Sequence, residues 1–161
     1  MSVGDEWADS KAAGKRVEAE VVQVVDGIEP VSDDDAHADA RATTAMYPSQ
    51  DLPFSSICVV ESGTPVEIKS AMVRATAANE RGRYYLRRDQ HEFLLDQQGV
   101  YLLAVCKPTP QREILSKRIV PAAVVNEFRH PWKTPDDRPA YDQLAWSVLI
   151  DSRRINGGES A

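Results

Sequence analysis

Val66-Glu67-Ile68-Lys69, inside the stretch Pro65–Ser70, decides how this chain is read. Side chains alternate along a strand, so Glu67 and Lys69 project together, about 6–7 Å apart, while Val66 and Ile68 enter a core on the other face. A carboxylate held beside an ammonium can bind a divalent cation and steer a water, which are parts that phosphodiester hydrolysis needs. Alone, Glu-x-Lys on a strand is an ordinary surface ion pair, so its flanks must carry the argument. Asp51 lies upstream, and a basic segment and Gln90 follow.

Ser55–Val60 and Pro65–Ser70 read as two arms of a hairpin, with Gly63 in the turn Glu61-Ser-Gly-Thr64. Residues 7–26 read as a helix with Val17, Val21, Val24 and Val25 on one stripe, ended by Gly27. Residues 28–50, with Pro30, Asp33-Asp34-Asp35 and Pro48, read as a surface loop. Downstream, residues 82–86 fit a third strand, 88–98 a helix closed by Gly99, and 100–106 a buried strand. Residues 113–120 fit a further strand and 121–129 a helix; 141–151 fit either helix or strand, and 152–161 a polar tail. This order predicts a mixed α/β sheet, a single domain over residues 1–161 with its core in about 7–128.

The composition, 42% hydrophobic and 27% charged over 161 residues, is that of an ordinary globular chain. No apolar run approaches the roughly 20 residues of a membrane span, and no secretory signal opens the chain, so a cytoplasmic location is expected. Cys58 and Cys106 lie in apolar runs without zinc-ligand spacing and read as buried thiols. His37, His91 and His130 form no metal set.

The net charge of −6 hides an asymmetry. Residues 1–70 carry 5 Lys and Arg against 14 Asp and Glu, residues 71–133 carry 11 against 6, and residues 134–161 carry 3 against 5. The basic middle begins just after Lys69, as expected for a local phosphate-binding face. Arg74, Arg81, Arg83, Arg87 and Arg88 are its densest part, opposed only by Glu80. Arginine outnumbers lysine 13 to 6 and aspartate is plentiful, a composition that hints at a salt-adapted source.

In Val66-Glu67-Ile68-Lys69-Ser70, Gly14-Lys-Arg-Val-Glu18, Gly82-Arg-Tyr-Tyr-Leu-Arg-Arg-Asp-Gln90 and Tyr101-Leu-Leu-Ala-Val105, the chain resembles the PD-(D/E)XK nuclease superfamily. Within it, the likeness is to the archaeal Holliday junction resolvase-like and restriction endonuclease-like branches. The resemblance implies an αβββαβ core: a central mixed sheet with a three-stranded meander, flanked by helices. It implies a magnesium-dependent DNA endonuclease, with Mn²⁺ as a substitute, acting on branched DNA as a homodimer. It assigns Glu67, Asp51, Glu18 and the Ile68 backbone carbonyl to the metal, Lys69 and Gln90 to the attacking water and phosphate, and the five arginines to DNA. In resolvase relatives the aspartate precedes the glutamate by roughly a dozen residues on the first hairpin arm. Counting back from Glu67 gives Ser55 and Ser56, which carry no carboxylate. Asp51 is the nearest candidate and Asp39 a distant one. Without an aspartate at the site, the chain would be a non-catalytic DNA-binding or scaffolding module on a nuclease fold.

Overall fold

The computed structural model describes residues 3–31, 38–74, 81–108 and 112–155, with the backbone alone for 3–13 and Arg154. The Asp33–Asp35 run, His37, Glu80 and the end of the tail lie outside the described residues. Helix α1 (Val3–Val24) is followed by strands β1 (Ile28–Pro30), β2 (Ala40–Ala42), β3 (Pro65–Met72) and β4 (Arg83–Arg87). Then come α2 (Arg88–Asp96), β5 (Val100–Cys106), β6 (Ile114–Pro121), α3 (Ala122–Phe128) and β7 (Tyr141–Ala145), which ends in a 3-10 turn at Trp146–Val148. Among the described residues, no helix is long and apolar enough to cross a membrane.

Five strands form the main sheet in the order β1-β2-β3-β5-β6. β1, β2 and β3 are antiparallel neighbours, β3 and β5 run parallel, and β6 returns antiparallel to β5. This is the expected α/β architecture: a mixed sheet with a three-stranded meander between α1 and α2. Every residue of β5 is buried, as a central strand covered on both faces requires. On one face, Val17, Val21 and Val25 pack against Val66, Ile68, Leu102 and Ala104. On the other, Tyr101, Leu103 and Val105 pack against Leu94, Val120 and Val125 and the inner side of a β4–β7 ribbon.

The meander is built from other residues than the hydrophobic pattern indicates. The partner of β3 is β2, through Ala40↔Val66 and Arg41↔Pro65, so residues 28–50 hold two strands rather than a plain loop. Residues 43–60 are an excursion between the hairpin arms, which Gly63 (φ 89°) closes through its N–H to Ala42 O, 2.8 Å. In this excursion Val60 bridges Met46, whereas Cys58 is exposed, contrary to the buried thiol expected. Val24 is exposed too; the core stripe of α1 is Val17 and Val21, continued by Val25 beyond its end. β4 joins β7 in a separate two-stranded sheet instead of the meander. Gly82 permits that departure: its N–H donates to Met72 O at 3.0 Å, and a Cβ would stand 2.2 Å from the same oxygen.

Candidate active site

The site lies where β2 leaves β3. The last backbone pair between them is Ala40↔Val66, so Asp39 would next stand opposite Glu67. A reciprocal pair of hydrogen bonds replaces the ladder there. The Asp39 amide donates to Glu67 Oε1 (3.0 Å), and the Ile68 amide donates to Asp39 Oδ2 (2.9 Å). In a strand, a residue's N–H and C=O point to the same side. The Ile68 carbonyl therefore faces the edge that β2 vacates.

Glu67 and Lys69 share the face opposite Val66 and Ile68, as alternation predicts. Lys69 Nζ lies 3.3 Å from Glu67 Oε2 and donates to Gln90 Oε1 at 3.3 Å. Gln90 is the third residue of α2. Its placement follows from the crossover that carries the chain from β3 through β4 and α2 into β5. Asp39, Glu67, Lys69 and Gln90 thus form one contiguous set.

Glu67 is fully buried, and burial pushes its carboxyl up to about 8; Lys69 pulls it down and Asp39 adds to the rise. Glu18, on the α1 flank where Gly14 faces Ser70, is raised to about 7, first by burial and then by the charge of Asp39, against the pull of Lys69 and Lys15. Glu18 thus feels the charges of Asp39 and Lys69. Glu67 Oε2 is within ion-pair distance of Nζ, yet no aligned donor reaches it, so it is a buried oxygen without a hydrogen bond.

The donor set fits a hard divalent cation. Asp39 and Glu67 offer carboxylates and Ile68 a carbonyl, while Glu67 Oε2 has an ion-pair neighbour in Lys69 and no hydrogen bond. Among the described residues no three Asp, Glu, His or Cys side chains form a ready-made cage. Magnesium requires none, since it keeps several waters and takes one or two carboxylates together with substrate phosphate.

Asp51 is not brought to this site. The segment Pro53–Ser55 pairs with Ile119 on β6, through Ser55 N–H to Ile119 O (2.9 Å) and Ile119 N–H to Pro53 O (3.0 Å). Two strands, β5 and β6, therefore separate it from β3, roughly 14 Å at about 4.8 Å per strand. Asp51 instead is exposed in an open pocket with Gln50, Pro53 and Ile114–Lys117. Ser55 and Ser56 stand at the same far edge, so counting back from Glu67 leads to the wrong strand.

The five arginines lie on different elements. Arg83 and Arg87 share the solvent side of β4, and Arg87 pairs with Asp89 at 2.8 Å. Arg88 pairs with Glu92 at 2.8 Å along α2, Arg81 lies over Trp146 and donates to Ser147, and Arg74 is exposed just past β3.

Two buried neighbours of the site escape sequence reasoning. Tyr101 is the cross-strand partner of Glu67. Its hydroxyl lies 2.7 Å from His91 Nδ1, and His91 Nε2 lies 3.0 Å from Asn126 Oδ1. Burial lowers the His91 pKa, which favours the neutral ring. Because Oδ1 only accepts, Nε2 carries the proton and Nδ1 accepts from Tyr101. The position of His91 next to Gln90 was the one visible signal.

A family model described as a PD-(D/E)XK nuclease superfamily domain matches residues 5–151. None of the curated proteins compared with the chain matches it.

Proposed function

Because this chain belongs to the PD-(D/E)XK nuclease superfamily, we propose that it is a magnesium-dependent DNA endonuclease whose working residues are Asp39, Glu67, Lys69 and Gln90. The observation that carries this reading is the convergence of Asp39 on Glu67-Ile68-Lys69 through two hydrogen bonds. That carboxylate is the element whose loss would have favoured a non-cleaving module. Branched, junction-like DNA and a paired assembly of two copies are the substrate form and state we propose with it.

A bound divalent cation would supply charge neutralisation at the phosphate and a more acidic water. The chain's own residues do the rest. Asp39 and Glu67 hold their carboxylates at fixed positions, the first tied to the Ile68 amide and the second to the Asp39 amide. Lys69 carries a positive charge on the same face, and Gln90 Oε1 fixes the direction of its Nζ. An ammonium held in a largely buried site stabilises charge growing on a phosphate oxygen more strongly than one in water. Ile68 and Val66 anchor the strand in the core, which keeps this geometry rigid.

The test is cleavage of linear duplex and four-way junction DNA with Mg²⁺ or Mn²⁺. Lys69→Ala and Asp39→Asn should each lose on the order of 10²-fold or more of the rate, whereas Asp51→Asn should stay within about twofold, the ordinary range for an exposed change. Cutting by Lys69→Ala at the wild-type rate, or an equal loss in Asp51→Asn and Asp39→Asn, would refute the assignment. Salt-sensitive binding with no metal-dependent cutting would favour the non-catalytic module.

A further inference from the structure

The β4–β7 ribbon has two unlike faces. Tyr84, Leu86, Asp142 and Leu144 point inward and are buried. Arg83, Tyr85 and Arg87 point outward from β4, and Tyr141 and Gln143 from β7. Tyr85 and Tyr141 stack at 4.9 Å with ring planes 7° apart. The Arg138 guanidinium lies 4.4 Å from the Tyr141 ring centre and donates to its hydroxyl, and Lys133 lies 5.5 Å from the same ring. Lys133 is fixed there by a two-hydrogen-bond bridge to Tyr141.

Arg138 and Tyr85 thus both lie against the Tyr141 ring, and Tyr85 is 36% exposed. Arg83 and Arg87 flank Tyr85 on the same face of β4, and Lys133 and Arg138 lie at the Tyr141 ring. Asp89 engages one of them, and Asp136 and Asp137 stand in the same connection as Lys133 and Arg138. Flat rings among cations are what unpaired nucleic acid requires, since bases stack on rings and phosphates need positive charge. A duplex offers its rings only at its ends. The ribbon also points to the candidate active site, because β4 passes straight into α2 and Arg87 is three residues from Gln90.

We infer that the outer face of the β4–β7 ribbon docks single-stranded DNA, with a base continuing the stack on Tyr85 and phosphates on Arg83, Lys133 and Arg87. The inference rests on the nuclease reading for why such a strand would lie here, and it makes unpaired segments beside the cut the preferred substrate feature.

The test is fluorescence anisotropy of the full chain with a labelled mixed-sequence single strand and with the matching duplex, in EDTA, so that no cleavage is involved. The single strand should bind more tightly than the duplex. Tyr85→Ala should weaken single-strand binding roughly 5- to 100-fold, the value of one lost base stack, and Tyr85→Phe should retain it. Arg83→Gln and Lys133→Gln leave the rings in place, and each should flatten the salt dependence by about 0.7 in log–log slope. No binding of either DNA, tighter duplex binding, or a Tyr85→Ala loss within twofold would overturn the inference, as would equal losses in Tyr85→Ala and Tyr85→Phe. Single-strand binding without Lys69-dependent cutting would sink the nuclease reading alone. Lys69-dependent cutting that Tyr85→Ala leaves intact, with duplex preferred, would sink the ribbon alone.

Discussion

Glu67→Gln should make the metal-free protein more stable at alkaline pH. Glu67 is 0% exposed, and burial pushes its carboxyl from 4.5 to about 8. The folded chain therefore holds the proton more tightly than the unfolded chain. Stability from protonated Glu67 is fully present below pH 4.5 and is lost as pH rises through 8. The displacement is about 3.5 units, and at about 1.36 kcal/mol per unit the ionised form costs roughly 5 kcal/mol at pH 9. Glutamine keeps the acceptor for the Asp39 amide but turns an NH₂ toward Lys69 Nζ, 3.3 Å away from Oε2. Lys69, which is 17% exposed, must swing aside, so a net gain of about 2–4 kcal/mol is expected. For a chain of this size that raises Tm by roughly 5–15 °C. Thermal unfolding of both proteins in EDTA at pH 5, 7 and 9 reads it. Glu18 titrates in both and cancels in the difference. The Tm gap should be large at pH 9 and closed or reversed at pH 5, where little ionisation cost remains to offset the displaced Lys69, and Mg²⁺ should narrow the pH 9 gap by stabilising the wild type alone. A gap that is the same at pH 5 and pH 9, or a Glu67→Gln protein that melts lower at pH 9, would refute the account of a buried, strained carboxylate.

Two further perturbations test the scaffold. Gly82→Ala places a Cβ 2.2 Å from Met72 O and 2.8 Å from Met72 N, backbone atoms that cannot rotate away, so it should cost about 4 kcal/mol or more by chemical denaturation; a loss under about 1 kcal/mol would show that the β3–β4 crossing is looser than described. Tyr101→Phe removes the donor to His91 Nδ1 and leaves a buried acceptor unpaired, at a cost of about 1–3 kcal/mol. That loss should shrink in His91→Phe, where no acceptor remains, and equal losses in both backgrounds would contradict the hydrogen-bond direction.

Much of the fold was legible because its strongest elements are long and apolar. β5 matches its sequence-read bounds, Val100–Cys106, since a central strand is hydrophobic on both faces. The meeting of Glu67, Lys69 and Gln90 was legible because strand alternation and helix order are local properties. Asp39 was hidden by a different circumstance. Its strand is only Ala40-Arg41-Ala42, three residues of weak strand preference, and β1 ends in Pro30. The more apolar stretch 57–60 imitates a hairpin arm, but it lies in the excursion between β2 and β3. The pairing that brings Asp39 to Glu67 spans 28 residues, and no local pattern records it.

The short length of β2 is itself the device that makes the site. Had β2 continued along β3, its backbone would have taken the Ile68 amide and covered the Ile68 carbonyl. Because β2 stops at Ala40, a side-chain carboxylate satisfies that amide instead, and the strand edge beside Glu67 stays open. The exchange brings negative charge into a place the core would otherwise fill, which is why burial raises both Glu67 and Glu18. Lys69 offsets part of this, yet it leaves Glu67 Oε2 without a hydrogen bond. A bound divalent cation would relieve the repulsion between the carboxylates and give Oε2 a ligand bond in place of the missing hydrogen bond. The residues that oppose folding when ionised are therefore those that would hold the metal, so Glu67→Gln should lose metal affinity together with Glu67's share of the alkaline instability, while the share of Glu18 remains.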